Sequence, residues 1–218
     1  MFDFLKKKKE EKYQFLPMQA TTEEINCFLH HTLESKNYLE FGCGGSTFLM
    51  LYTTKANIFS VESNPDFIRH LQQNFLIQQG LQEKRLEFFL IDIGKTKAWG
   101  YPIDDSKKQN YPLYSSLVFN TLPQSTIQAL DTIFIDGRFR VACALNAILY
   151  SNQDCKIIIH DFFNREHYHI LLDFLEIFDG NEKSSKKDTL GIFQKKPLSQ
   201  TDKEHIKNLL KVYSYDPR

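Results

Sequence analysis

Residues Tyr38-Leu39-Glu40-Phe41-Gly42-Cys43-Gly44-Gly45-Ser46-Thr47-Phe48-Leu49-Met50-Leu51 read in one unbroken run as a strand, a glycine turn and the start of a helix. Glycines at such a turn let the backbone take positive φ and approach a ligand closely, and the helix N-terminus behind them offers unpaired N–H groups. Outward from this unit the same order repeats. Short apolar runs at Ile58 to Val61, Leu86 to Ile91, Thr132 to Ile135, Lys156 to Ile159 and Gly191 to Gln194 have strand length and are rich in β-branched or aromatic residues. Their near-continuous hydrophobicity implies strands covered on both faces. The expected fold class is therefore α/β, with a doubly wound, mostly parallel sheet and helices on both faces.

Helices are expected at about 22–34, 46–53, 65–79, 138–150, 165–178 and 201–211, with ends uncertain by ~2–4 residues. Asn64-Pro65 supplies an N-cap and a first-turn proline, Phe67, Ile68, Leu71 and Phe75 follow at helical spacing, and Gly80 is read as the stop. Lys95 to Asn110, with Trp99-Gly100-Tyr101-Pro102, has no periodic pattern and reads as a long functional loop. Asn181 to Thr189 reads as a solvated turn. The expected division is an N-terminal helical extension (1–35), the α/β domain (36–198) and a C-terminal helix and tail (199–218).

The chain has 218 residues, 42% hydrophobic and 25% charged, which is the composition of a soluble globular protein and rules out large-scale disorder. Lysine plus arginine (27) balance aspartate plus glutamate (27), so no global basic field marks a nucleic-acid binder. No apolar run has the ~18–20 residues that cross a bilayer, and the N-terminus lacks the apolar segment of a secretory signal. The expected location is the cytoplasm, without stable membrane insertion. The Lys6 to Lys9 run reads as a solvated helix end or, alternatively, as a weak membrane-surface anchor. Cys27, Cys43, Cys143 and Cys155 contain no CxxC pair and read as free thiols.

Two further acids follow strands, Glu62 and Asp92. In a doubly wound sheet the carboxyl ends of neighbouring strands line one crevice, so Glu40, the glycines, Glu62 and Asp92 are expected to meet there. A carboxylate at 62 can accept both hydroxyls of a ribose, and one at 92 can accept an adenine amino group. The dinucleotide fingerprint needs glycine or alanine where Thr47 stands, and the P-loop lysine is missing. The ligand sketched is an adenosine with little phosphate. The bland alternatives are tight packing for the glycines and a capped turn for Asp92.

These residues resemble the class I S-adenosylmethionine-dependent methyltransferases over roughly 36–196. Tyr38 to Ser46 looks like that family's first motif, whose glycines pass under the methionine part of the cofactor. The resemblance implies a Rossmann-like, seven-stranded sheet whose last strand runs antiparallel. It implies S-adenosyl-L-methionine as cofactor, with Glu40, Gly42, Gly44, Ser46, Glu62 and Asp92 at its site.

Methyl transfer from a sulfonium is an in-line displacement, which needs an aligned acceptor and, for a hydroxyl, somewhere to put its proton. Asp136 after the fourth strand, and His160 and Asp161 after the fifth, are the catalytic candidates. Asp136 and Asp161, with Asn164 nearby, resemble the acidic set by which metal-dependent O-methyltransferases hold magnesium or manganese, except that Phe162 stands where that family has asparagine. His160 offers a metal-free base, or else a structural histidine. Arg138 and Arg140 pair with Asp136 or clamp an acidic substrate. Trp99 and Tyr101, with Tyr111-Pro112-Leu113-Tyr114, form an aromatic wall over the acceptor or else pack in the core. His167 and His169 are expected at the surface. The expected function is methyl transfer to oxygen of a small molecule or glycan. The rivals are a non-catalytic binder of the cofactor or its demethylated product and an NAD-dependent oxidoreductase.

Overall fold

The computed structural model of the chain describes residues 14–178 and 189–218. The Lys6 to Lys9 run and most of the expected solvated turn at 181–189 lie outside the described residues. Among the described residues seven strands form one sheet: β1 (Asn37–Phe41), β2 (Asn57–Glu62), β3 (Leu86–Leu90), β4 (Thr132–Ile135), β5 (Lys156–Ile159), β6 (Leu175–Ile177) and β7 (Gly191–Lys195). Their spatial order is β3-β2-β1-β4-β5-β7-β6. The first five strands are parallel, and β7 runs antiparallel to both β5 and β6, so the sheet is mixed. Strand order reverses between β1 and β4, which opens a crevice beyond their carboxyl ends.

The pleat divides the core into two halves. Tyr38, Ile58, Leu86, Phe134, Ile158 and Ile192 face one side. There they meet Phe28 of α1 (Thr22–Thr32), Met50 of α2 (Gly45–Thr53), Leu71 of α3 (Pro65–Leu71) and Ile77 of α4 (Phe75–Gln82). Leu39, Phe41, Val61, Ile133, Ile135, Ile157 and Ile159 face the other side. Their partners are Val118 of α5 (Tyr111–Thr121), Ile127 of α6 (Gln124–Gln128), Leu145 of α7 (Arg140–Tyr150) and Ile206 of α8 (Gln200–Tyr213). Alternate side chains of each strand thus go to opposite apolar layers, and the buried polar exceptions in β1 and β2, Glu40 and Ser60, hydrogen-bond to each other.

Several sequence expectations are corrected. The single helix at 65–79 is two, because Asn74 restarts the chain: its Oδ1 accepts from Leu76 N (2.9 Å) and its Nδ2 donates to Gln14 O (2.6 Å). Gly80 lies inside α4 instead of ending it, and a Cβ there would stand 2.6 Å from Leu51 Cδ2, so this glycine serves close helix packing. The helix expected at 165–178 is a 3₁₀ segment (Glu166–Asp173) followed by β6, because Leu175 to Ile177 pair with β7. Helices α5 and α6 follow the long loop without having been anticipated. The four cysteines form no disulfide, as read from the sequence. Among the described residues no helix is long and apolar enough to cross a membrane.

Candidate active site

The carboxyl ends of β1, β2, β4 and β5 open on a cavity of about 1260 Å³. Leu16 to Thr21, ahead of α1, form part of its wall, so the segment before β1 is structurally part of the site. Gly42 takes φ +94°, and a Cβ there would lie 2.8 Å from Gly137 Cα, so the turn packs directly on the end of β4. Gly44, at φ +149°, differs: the nearest atoms to a Cβ would be the Phe67 ring at 3.7 Å, and the position faces the cavity. A side chain at 44 would be strained and would fill space that a ligand can use.

Glu40 braces the turn from below and is absent from the cavity wall. Its buried carboxylate accepts from Ser46 Oγ (2.7 Å), Ser60 Oγ (2.7 Å), Tyr38 Oη (3.1 Å) and Thr47 Oγ1. Burial raises its pKa, and the four hydroxyls only partly offset this. Thr47 Oγ1 in turn accepts from Gly44 N (2.9 Å), which fixes the turn to the carboxylate. Ser46 reaches the cavity wall while bound to Glu40.

Glu62 lines the cavity at the end of β2. Its Oε1 accepts from the backbone N–H groups of Ser63 (2.6 Å) and Asn64 (2.9 Å), which fix the carboxylate. Its Oε2 has Cys43 Sγ at 3.4 Å, and burial pushes that thiol well above its ordinary pKa. Asp92 is not in the wall: it accepts from Gly94 N (3.0 Å) and pairs with Lys107 (3.0 Å), the capped-turn alternative. Those two contacts hold its pKa below the ordinary value. Glu40 and Asp92 are therefore not brought into the cavity with Glu62.

At the ends of β4 and β5 the expected group converges. Oδ1 of Asp136 accepts from Arg140 Nη2 (2.9 Å) and lies 2.8 Å from His160 Nδ1. Oδ2 of Asp161 accepts from Arg140 Nη1 (2.9 Å) and Arg165 Nη2 (2.7 Å). Arg140 further donates to the carbonyls of Gly137 and His160, so its guanidinium is the pin that spans both strand ends. Burial disfavours the imidazolium of His160, but the Asp136 carboxylate outweighs it and the pKa lies above the ordinary value. For Asp161, burial is outweighed by the charges of His160, Arg140 and Arg165, so its pKa is lowered. Asp161 also takes φ +60°, an uncommon conformation held here by its two arginines.

The acidic pair does not fit a metal ion, because a guanidinium already bridges its oxygens. Among the described residues no group of three or more His, Cys, Asp or Glu is arranged to hold one. Magnesium or manganese at Asp136 and Asp161 is thus not supported by the donor set.

Trp99 stands on the rim, 76% exposed, and Tyr101 lies on Arg138 with its ring centroid 4.2 Å from the guanidinium. Burial works to raise the Tyr101 phenol, but Arg138 and Arg165 bring it below its ordinary pKa. Tyr114 lines the cavity from α5, whereas Tyr111 is buried with its hydroxyl donating to Asp104 O (2.9 Å). His167 and His169 are half-buried, not surface groups, and His169 Nε2 lies 3.3 Å from Phe162 O. Two site residues escaped the sequence reading. Glu24 lies 3.6 Å from His160 Nε2, and its oxygens accept from Thr189 N (2.9 Å) and Thr21 N (2.9 Å). Its only local signal was the Thr21–Glu24 capping box. Arg165 had none.

No protein-family profile and no curated protein matches this chain. Among solved structures it is similar to a methyltransferase-like protein from Silicibacter pomeroyi (TM-score 0.72, 24% identity, covering 93% of this chain and 98% of that one). It is also similar to a methyltransferase from Geobacter sulfurreducens (TM-score 0.50, 10% identity, 83% and 82% covered). A third is an SAH-bound methyltransferase from Podospora anserina (TM-score 0.52, 12% identity, 84% and 80% covered). The chain shares the fold of these methyltransferases.

Proposed function

We propose that the protein is an S-adenosylmethionine-dependent methyltransferase acting on a hydroxyl of a small molecule or glycan, in a Rossmann-like domain spanning 36–198. The observation that carries this reading is one wall holding three things: an open glycine turn at Gly44, the fixed carboxylate of Glu62, and the His160–Asp136 pair. Gly44 leaves room for the cofactor, Glu62 offers Oε2 to ribose hydroxyls, and Ser46 sits at the helix N-terminus beside them. When bound, the cofactor supplies an electrophilic methyl on a sulfonium.

The remaining work falls to the chain. His160 presents Nε2 to the acceptor hydroxyl and takes its proton, while Asp136 accepts from Nδ1–H and stabilises the imidazolium. Arg140 and Asp161 keep the two strand ends in register, as positioning residues. Trp99 and Tyr101 cover the acceptor side and exclude water.

The test is titration of S-adenosylhomocysteine by calorimetry, followed by a product-release assay across hydroxylated acceptors with wild-type protein and His160→Ala. Binding in the micromolar range, and turnover lost in His160→Ala with binding kept, is the expected result. Binding without turnover on any acceptor supports the non-catalytic reading, and failure to bind removes both.

A further inference from the structure

We propose that the acceptor carries an oxyanion, a carboxylate or phosphate monoester, held at Arg138 beside Tyr101 and Arg165. This rests on the methyltransferase reading for the word acceptor, but the binding site itself is argued from charge and burial. Arg138 lines the cavity and is only 5% exposed. Its Nε and Nη1 have no hydrogen-bond partner among the described residues. Its neighbours are in a different state: Arg140 sits on both Asp136 and Asp161, and Arg165 on Asp161. On this wall Arg140 and Arg165 are paired with Asp136 and Asp161, and among the described residues Arg138 is in no ion pair. Glu24 is already engaged by His160 Nε2 (3.6 Å) and by the backbone N–H groups of Thr21 and Thr189.

A buried guanidinium without an anion is costly, and an aromatic face offsets only part of that cost. The turn Trp99-Gly100-Tyr101 lies over this side chain: Tyr101 covers the guanidinium, and a Cβ at Gly100 (φ +73°) would meet Arg138 Cγ at 3.6 Å. The Tyr101 ring thus caps the guanidinium at the cavity wall. An oxyanion there gains charge-assisted hydrogen bonds from Arg138, and Arg165 adds its charge at the Tyr101 hydroxyl.

The experiment compares matched ligand pairs by ligand-observed NMR, with and without S-adenosylhomocysteine. The pairs are methyl glucuronide against methyl glucoside, 4-hydroxybenzoate against 4-hydroxybenzamide, and glucose 6-phosphate against glucose. At least one anionic member is expected to bind about tenfold tighter than its neutral twin. The carboxylate and phosphate arms tell the two sources apart. Arg138→Gln should bring that preference to within about twofold while leaving S-adenosylhomocysteine affinity unchanged. Should Arg138→Gln not fold, the more exposed Arg165→Gln should still lower the preference severalfold. Equal binding within every pair, no binding of any probe, or a preference that survives these substitutions overturns the proposal. Failure to bind S-adenosylhomocysteine alone removes the methyltransferase reading, while the oxyanion preference is read from the arm without it.

Discussion

Nδ1 of His160 lies 2.8 Å from Oδ1 of Asp136, across the gap between the parallel ends of β5 and β4. The pairing fixes the ring: with Nδ1 donating to Asp136, Nε2 faces the cavity, where Glu24 Oε2 stands 3.6 Å away, beyond hydrogen-bond distance. Asp136 can hold this position because Arg140 grips the same oxygen from α7.

Asp136→Asn should lower turnover about 10²–10⁴-fold, the usual range for impairing a general base, while S-adenosylhomocysteine affinity stays within about threefold. Steady-state kinetics beside calorimetry separates the two effects. A loss of affinity equal to the loss of rate would make Asp136 a cofactor ligand instead.

The pH dependence follows from the raised pKa of His160. A base acts only when neutral, so kcat/KM should fall in acid through a limb lying above that of an ordinary imidazole, ~6.5. Because the folded pKa exceeds the unfolded one, the pair's contribution to stability is complete below the unfolded pKa and is lost as pH rises through the folded value. Asp136→Asn should move the limb to lower pH, as read from the rate profile and an NMR titration of His160.

Glu62→Gln should weaken S-adenosylhomocysteine binding by about 1.5–3 kcal/mol, the scale of hydrogen bonds to a charged group. Gln keeps an oxygen for the backbone N–H groups of Ser63 and Asn64 and so spares the fold. Unchanged affinity in the calorimeter would place the ribose elsewhere.

Chelation should leave turnover unchanged, since Arg140 already supplies the positive charge between Asp136 and Asp161. Activity lost to EDTA and restored by magnesium or manganese would restore the metal reading.

Arg140→Met should destabilise the protein by about 3 kcal/mol, the lower end of the cost of breaking a buried ion pair, because both carboxylates are partly exposed. The urea midpoint should fall accordingly. The loss should be smaller once pH falls through the lowered pKa of Asp161.

The sequence by itself determined the fold class, because strands buried on both faces are mostly apolar on both and the glycine turn carries glycine at 42 and 44, where φ is positive. That Gly42 to Ser46, Glu62, Asp136 and His160 line one cavity was legible from position alone, since residues that end parallel strands share one edge, whereas Glu40 lies beneath it. Tertiary structure decided what local pattern could not. The stretch 165–178 carries helical periodicity, yet Leu175 to Ile177 become β6 because an antiparallel partner in β7 is available. Gly80 looks like a stop, but its meaning lies in Leu51 on a neighbouring helix. The same holds for charge. Whether Asp136 and Asp161 would hold a metal, and whether Arg138 or Arg140 would be left unpaired, depended on which guanidinium the start of α7 delivers to the two strand ends. Ion pairing acts through space at a few ångströms, and distance along the chain carries little information about it.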